Sequence, residues 1–114
     1  MKKIIIVLLL VLSSKFAVAT HQVSPVTKIK YIYTYNSYAV IKIANKTTNK
    51  DSCTYGRATE FLVVKYNDIG GKEMYSAALA AFMSGSKVRL AHTGCLPWGK
   101  TITIPKLYRV DVLK

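Results

Sequence analysis

Thr27-Lys28-Ile29-Lys30-Tyr31-Ile32-Tyr33-Thr34-Tyr35-Asn36-Ser37-Tyr38-Ala39-Val40-Ile41-Lys42-Ile43-Ala44 decides the fold. Two runs dominated by β-branched and aromatic residues flank the short polar pair Asn36-Ser37. Such side chains suit a pleated, half-buried surface, and a polar pair between two such runs makes a tight turn. With a period of two, Ile29, Tyr31, Tyr33 and Tyr35 fall on one face, and Lys28, Lys30, Ile32 and Thr34 on the other. The segment is read as a β-hairpin.

Working outward, His21 to Pro25 reads as a short leader, and Asn45 to Tyr55 as a polar loop. A third strand is expected near Glu60 to Tyr66. Leu62 and Val64 on one face and Phe61 and Val63 on the other mark it as buried on both sides. After a break at Asn67 to Gly71, Lys72 to Ser84 carries four alanines at helix-favouring positions, and Gly85 stands where a left-handed cap belongs. Val88 to His92 is a fourth strand, Gly94 to Lys100 a loop, and Thr101 to Val112 one or two further strands interrupted by Pro105. Strand, strand, strand, helix, strand, strand is the order of an OB-fold. The fold class is therefore mainly β (α+β): a five-stranded Greek-key barrel with one helix between strands 3 and 4.

The amino terminus points to export. Lys2 and Lys3 precede the apolar run Ile4 to Leu12, and Ala17-Val18-Ala19 supplies a small-x-small cleavage pattern. The run is too short for a membrane anchor, which needs roughly 20 residues. Residues 1–19 read as a bacterial signal peptide, with Thr20 or His21 as the mature start. Residues 20–114 form a single domain, secreted or periplasmic. Such a domain is small enough to need a staple. Its two cysteines, Cys53 and Cys95, would form one disulfide in an oxidising compartment. Closing a loop of roughly 43 residues is worth about 4 kcal/mol on a chain-entropy account. The competing role as metal ligands lacks the spacing zinc needs.

The chain carries 17 Lys+Arg against 5 Asp+Glu; without Lys2, Lys3 and Lys15 this becomes 14 against 5, a net charge of +9 with neutral histidines. That excess favours anionic partners. Little suggests an enzyme: the five acids Asp51, Glu60, Asp68, Glu73 and Asp111 form no paired-carboxylate motif. Arg109 and Asp111 read as a structural ion pair, and His92 as a strand-surface residue. No cofactor and no metal site is expected. Tyr31, Tyr33 and Tyr35 either pack the barrel or form a stacking surface, with Tyr38 and Tyr55 near it. Trp98, in a loop beside Cys95, reads as a ligand platform, with Arg57 and Lys100 supplying positive charge. The helix is apolar almost all round, beyond what a small surface helix needs. Met74, Tyr75, Leu79, Phe82 and Met83 are accordingly expected to meet another subunit.

Three segments resemble the B subunits of AB5 toxins. The first is the hairpin opening Ile29-Lys30-Tyr31-Ile32-Tyr33-Thr34-Tyr35. The second is the run from Lys72 to Arg89, helix through Gly85 into a basic strand, which is similar to subtilase-cytotoxin and pertussis-like B subunits. The third is Cys95-Leu96-Pro97-Trp98-Gly99-Lys100, similar to the stretch of cholera-like B subunits in which a tryptophan stacks on galactose. The resemblance implies an OB-fold, one intrachain disulfide, a homopentameric ring with helices lining a pore, a partner A subunit and binding of host-cell glycans. The alternative is a monomeric periplasmic OB-fold protein that binds anionic ligands or envelope components. Single-stranded nucleic acid is a third, weaker option.

Overall fold

The computed structural model describes residues 19–114; the signal-peptide reading falls on residues 1–18, outside the described residues, and on Ala19. The fold is mainly β, with six strands and one described α-helix. These are β1 (Gln22–Val23), β2 (Ile29–Thr34), β3 (Tyr38–Ile43), β4 (Phe61–Lys65), α1 (Gly71–Ser84), β5 (Lys87–Trp98) and β6 (Ile102–Leu113). A single 3-10 turn, Ala58–Glu60, leads into β4. The strands make one sheet in the order β1-β5-β6-β4-β3-β2. All pairings are antiparallel except β4 with β6, a parallel contact at Val63 and Lys106.

The sheet departs from the expected five-stranded closed barrel. It has a sixth strand, and no ladder joins its two margins. The extra strand comes from the supposed leader: Gln22 and Val23 pair with His92 and Ala91 of β5. A short backbone link nonetheless joins the region ahead of β2 to β5. Thr27 N–H donates to the Val88 carbonyl at 2.9 Å, and Val88 N–H returns to Thr27 at 2.8 Å.

Strand β5 is longer than the expected Val88 to His92 and absorbs most of the predicted loop. Register shifts between Ala91 and Cys95 let it continue, with Gly94 taking a φ of 71° at the irregularity. Such a conformation suits glycine. Trp98 is therefore the last residue of a strand. Pro105 does not break β6 either. It lies opposite Cys95, and the contact with β4 is so brief that a missing N–H costs the ladder little.

The hairpin forms as expected, with one change of phase. Ile29 pairs with Ile43 but Tyr31 with Lys42, so Lys30 is an extra residue in β2. This bulge puts Ile29 and Ile32 on the inner side and Tyr31 and Tyr33 on the outer, overturning the single stripe of Ile29 with the tyrosines. The inner face of β3 and β4, with Ala39, Ile41, Ile43, Leu62 and Val64, packs on Ala78 and Ala81 of α1 and on Val88, Leu90 and Leu107. A second, smaller cluster covers the opposite face: Val40, Phe61, Val63 and Ile104, flanked by Tyr38, Tyr55, Leu96 and Trp98. The both-faces-apolar pattern of Phe61 to Val64 thus has its physical counterpart.

Helix α1 ends as its sequence implies. Gly85 has a φ of 68°, and Ser86 N–H reaches back to the Ala81 carbonyl at 2.9 Å, satisfying carbonyls left open at the helix terminus. Its start depends on Gly71, because a Cβ there would lie 1.9 Å from the Lys65 carbonyl oxygen. Only a residue without a side chain lets the helix approach the end of β4 so closely.

Candidate functional site

The second apolar cluster carries the densest set of groups suited to binding. Alternation along β3 and β4 sends Tyr38, Val40 and Lys42, then Phe61 and Val63, to the outer face. The β2 bulge aims Tyr31 and Tyr33 to the same side, and the end of β5 brings in Trp98. Its ring centroid lies 5.0 Å from Phe61, 5.6 Å from Tyr33 and 5.6 Å from Tyr55, edge to face. The indole N–H donates to the Tyr35 hydroxyl at 3.1 Å. Tyr35 in turn stacks on Tyr38 at 4.6 Å across the hairpin turn. Between these rings lies a cavity of about 280 Å³, lined by Tyr35, Tyr38, Tyr55, Trp98, Gly99 and Ile102.

Tyr55 is held in place by its surroundings. The Cys53–Cys95 disulfide forms as expected, with the Cα atoms 5.6 Å apart, and anchors the loop to β5. Next to it, Thr54 N–H donates to the Thr103 hydroxyl and Thr103 N–H to the Thr54 hydroxyl, each at 2.9 Å. Tyr55 N–H then bonds the Thr103 carbonyl at 3.1 Å. One covalent and three polar ties therefore fix the ring against Trp98.

The border of the cluster is charged. Lys42, 5% exposed, pairs with Glu60 and sits 4.9 Å from the Phe61 ring centroid. Arg57 grips the same carboxylate with Nε at 2.9 Å and Nη2 at 3.0 Å, its guanidinium 5.6 Å from Phe61. The bonds from Arg57, then Lys42, hold the Glu60 carboxyl down at about 2, and that carboxylate raises Arg57 above its usual range. Two cations on one carboxylate leave one net positive charge beside the rings. The Tyr33 hydroxyl is raised from its ordinary value, first by the neighbouring Tyr31 hydroxyl and then by desolvation.

Of the expected binding residues, Trp98, Tyr33 and Tyr35 come together here. Arg57 borders them through Phe61 with its charge committed to Glu60. Lys100 is exposed, two residues beyond Trp98 on the turn into β6. Of the helix residues, Met74 and Tyr75 pack against the chain's own core, and the Tyr75 hydroxyl bonds Thr34 at 3.1 Å. Leu79, Phe82 and Met83 stay exposed, Met83 at 75%. The Arg109–Asp111 pair forms at 2.9 Å.

Sequence reasoning missed Lys42 and Phe61, and it misplaced His92. That histidine is not on the surface: it is fully buried, bonded through Nε2 to the Thr47 hydroxyl at 2.8 Å, with Nδ1 lacking a partner among the described residues. Burial lowers its pKa, against an opposing pull from Asp51. The signal for Lys42 was present, a lone cation between Ile41 and Ile43 in an otherwise apolar strand.

Flat aromatic faces with hydroxyls and an indole at their edges suit the apolar face of a sugar or a planar ring. No described helix is long and apolar enough to cross a membrane. Comparison with protein-family models, with curated proteins and with solved structures finds no match.

Proposed function

We propose that this chain is an exported, non-enzymatic binding protein that takes carbohydrate on the aromatic groove around Trp98, in the manner of AB5 toxin B subunits. The observation that carries the reading is the groove itself. Trp98 is braced by Phe61, Tyr55 and Tyr33, and Tyr35, Tyr38 and Tyr55 line the opening with it. Rigid rings lose little conformational freedom on meeting a ligand, so affinity per contact is high.

An OB-type barrel is part of the same proposal. Supporting it are the three-stranded meander β2-β3-β4, the helix that follows it, the parallel contact of β4 with β6 and the antiparallel return of β5 on β6. The reciprocal Thr27–Val88 bonds lie where such a barrel closes, and OB barrels are characteristically only partly closed. Exposed Leu79, Phe82 and Met83 on one flank of α1 support assembly into a ring of like subunits, to which an A subunit would attach.

Binding is read through the chain's only tryptophan. In wild type, glycan-array hits are titrated against its fluorescence, and a hit is expected to shift the emission; the Trp98 variants, which lack that fluorophore, are titrated by calorimetry alongside wild type. Trp98→Ala should weaken binding at least tenfold, while Trp98→Phe keeps a stacking face and loses less. Array-wide silence from wild-type protein, or equal affinity in Trp98→Ala, refutes the reading. Native mass measurement on the same sample tests the ring: Met83→Glu should dissociate it, and a monomeric wild type ends the toxin-like assembly. The second reading, a monomer that takes anionic ligands, draws on the net charge of +9 for residues 20–114. It predicts binding that collapses with salt, where sugar stacking would persist.

A further inference from the structure

Beside the disulfide, Asp51 lines a cavity of about 320 Å³ with Ala19, Thr20, Lys50, Ser52, Gly94 and Cys95. Its carboxylate accepts three hydrogen bonds. Thr20 N–H reaches Oδ1 at 2.6 Å, Gly94 N–H reaches Oδ2 at 2.7 Å, and the Gln22 side-chain amide reaches Oδ2 at 3.1 Å. Gln22 is itself clamped, its Oε1 accepting from the Thr48 hydroxyl at 2.6 Å and from Lys50 N–H at 2.9 Å. Desolvation would raise the Asp51 carboxyl, but the bonds from Thr20 and Gly94 outweigh it and hold it below its ordinary value. Of these donors only the Thr20 nitrogen can change its charge, and it is also the nitrogen that follows Ala17-Val18-Ala19.

We infer that export cleavage falls between Ala19 and Thr20, and that the α-ammonium it creates stays on Asp51 as an ion pair locking the mature amino terminus to the disulfide loop. The inference rests on the signal-peptide reading. A signal endopeptidase adds one water across the Ala19–Thr20 bond: the C–N bond breaks, Ala19 leaves as a carboxylate and Thr20 keeps its nitrogen as an ammonium. The neutral N–H donor already 2.6 Å from the carboxylate becomes a cationic donor with three protons. A charged partner strengthens a hydrogen bond to a carboxylate. The new charge lies two residues ahead of Gln22, a β1 residue already paired with His92 of β5. Cleavage one residue later would remove Thr20 and leave Asp51 without its closest donor, so the geometry chooses between the two sites the sequence allows.

The test separates the pairing from the export reading. Every described strand and helix lies at or beyond Gln22, so chains beginning at Thr20 and at Val18 are compared by urea unfolding. The longer chain keeps the Thr20 amide but moves the ammonium two residues away. The Thr20 start should have a folding equilibrium constant about three- to fivefold higher, and in Asp51→Asn the two starts should differ less than twofold. If Asp51→Asn fails to fold, the wild-type comparison alone decides. Equal stability of the two starts overturns the ion pair, as does a difference that survives Asp51→Asn. Mass analysis of protein exported from the full-length gene reports the cleavage site separately: a Thr20 start is expected, and a His21 start or an uncut chain overturns the assignment of the site without touching the stability result.

Discussion

Replacing Cys53 and Cys95 together by alanine should cost this domain a large share of its stability while leaving its folded structure in place. The residues are 42 apart in sequence, and on the chain-entropy account a loop of that size is worth about 4 kcal/mol. The native loop is held by many other ties: Cys53 N–H bonds Asn49 Oδ1 at 2.8 Å, Gly94 bonds Asp51, and Thr54 and Thr103 bond each other. These persist in the folded double mutant, so the loss falls chiefly on the unfolded chain, which regains the freedom the bridge had removed. A small domain has a total stability of roughly 5–15 kcal/mol. A loss of 4 kcal/mol at about 4–8 °C per kcal/mol corresponds to a fall in Tm of about 15–30 °C. Urea unfolding followed by Trp98 fluorescence gives the free energy. The m-value should rise, because the released chain exposes more surface, and near-UV circular dichroism without urea should match wild type. A loss under about 1 kcal/mol would refute the reasoning, and so would a folded-state spectrum that collapses. The first would mean the unfolded loop is already compact, the second that the bridge shapes the native state.

Two further outcomes follow from single contacts. His92 is buried with its pKa lowered, so as pH falls the unfolded state takes up the proton first, near 6.5. Its contribution is intact above that value and is lost progressively below it; His92→Gln should flatten the stability curve between pH 7 and 5, and parallel curves for the two proteins would refute the assignment. Gly71→Ala should destabilise by about 1–3 kcal/mol through overpacking against the Lys65 carbonyl. Helix propensity alone predicts a gain of about 1 kcal/mol, and a measured gain in urea unfolding would show that the close approach relaxes freely.

The hairpin, the Phe61–Lys65 strand and the helix were legible because each advertises itself locally, by alternation or by alanine content with a glycine stop. What escaped depended on partners distant in sequence. Gln22–Val23 is too short to show a period and becomes a strand only because β5 offers Ala91 and His92. The β2 bulge at Lys30 leaves no mark in the sequence, yet it decides which face the tyrosines take. Alternation from Val88 through Leu90 does place His92 inward; polarity argued for the surface, and Thr47, which satisfies its Nε2, lies 45 residues away. Trp98 was expected in a loop and not at a strand end, since Gly94 and Pro97 resemble loop residues until Gly94's positive φ carries the chain through. The position of Lys42 between Ile41 and Ile43 was legible, but its burial was not, because Glu60 of the 3-10 turn and Phe61 at the start of β4 close over it.

The two apolar faces of the central strands bear on function through what covers each. Ala39, Ile41, Leu62 and Val64 are sealed beneath α1 and the strands β5 and β6. Among the described residues no helix packs on Val40, Phe61, Val63 and Ile104; side chains shield them, Trp98 and Tyr55 lying partly over the patch and still partly exposed themselves. A strand buried on both sides normally has a structural layer on both. Here the second layer is a thin aromatic lid whose own outer surface faces the groove. If that lid served only to cover Val40 and Val63, aliphatic side chains would do so at least as well, without an indole N–H and several hydroxyls to satisfy. The polar-edged rings are better explained by a ligand that uses both their faces and their edges, which is why the proposed binding is assigned to this face rather than to the more exposed flank of α1.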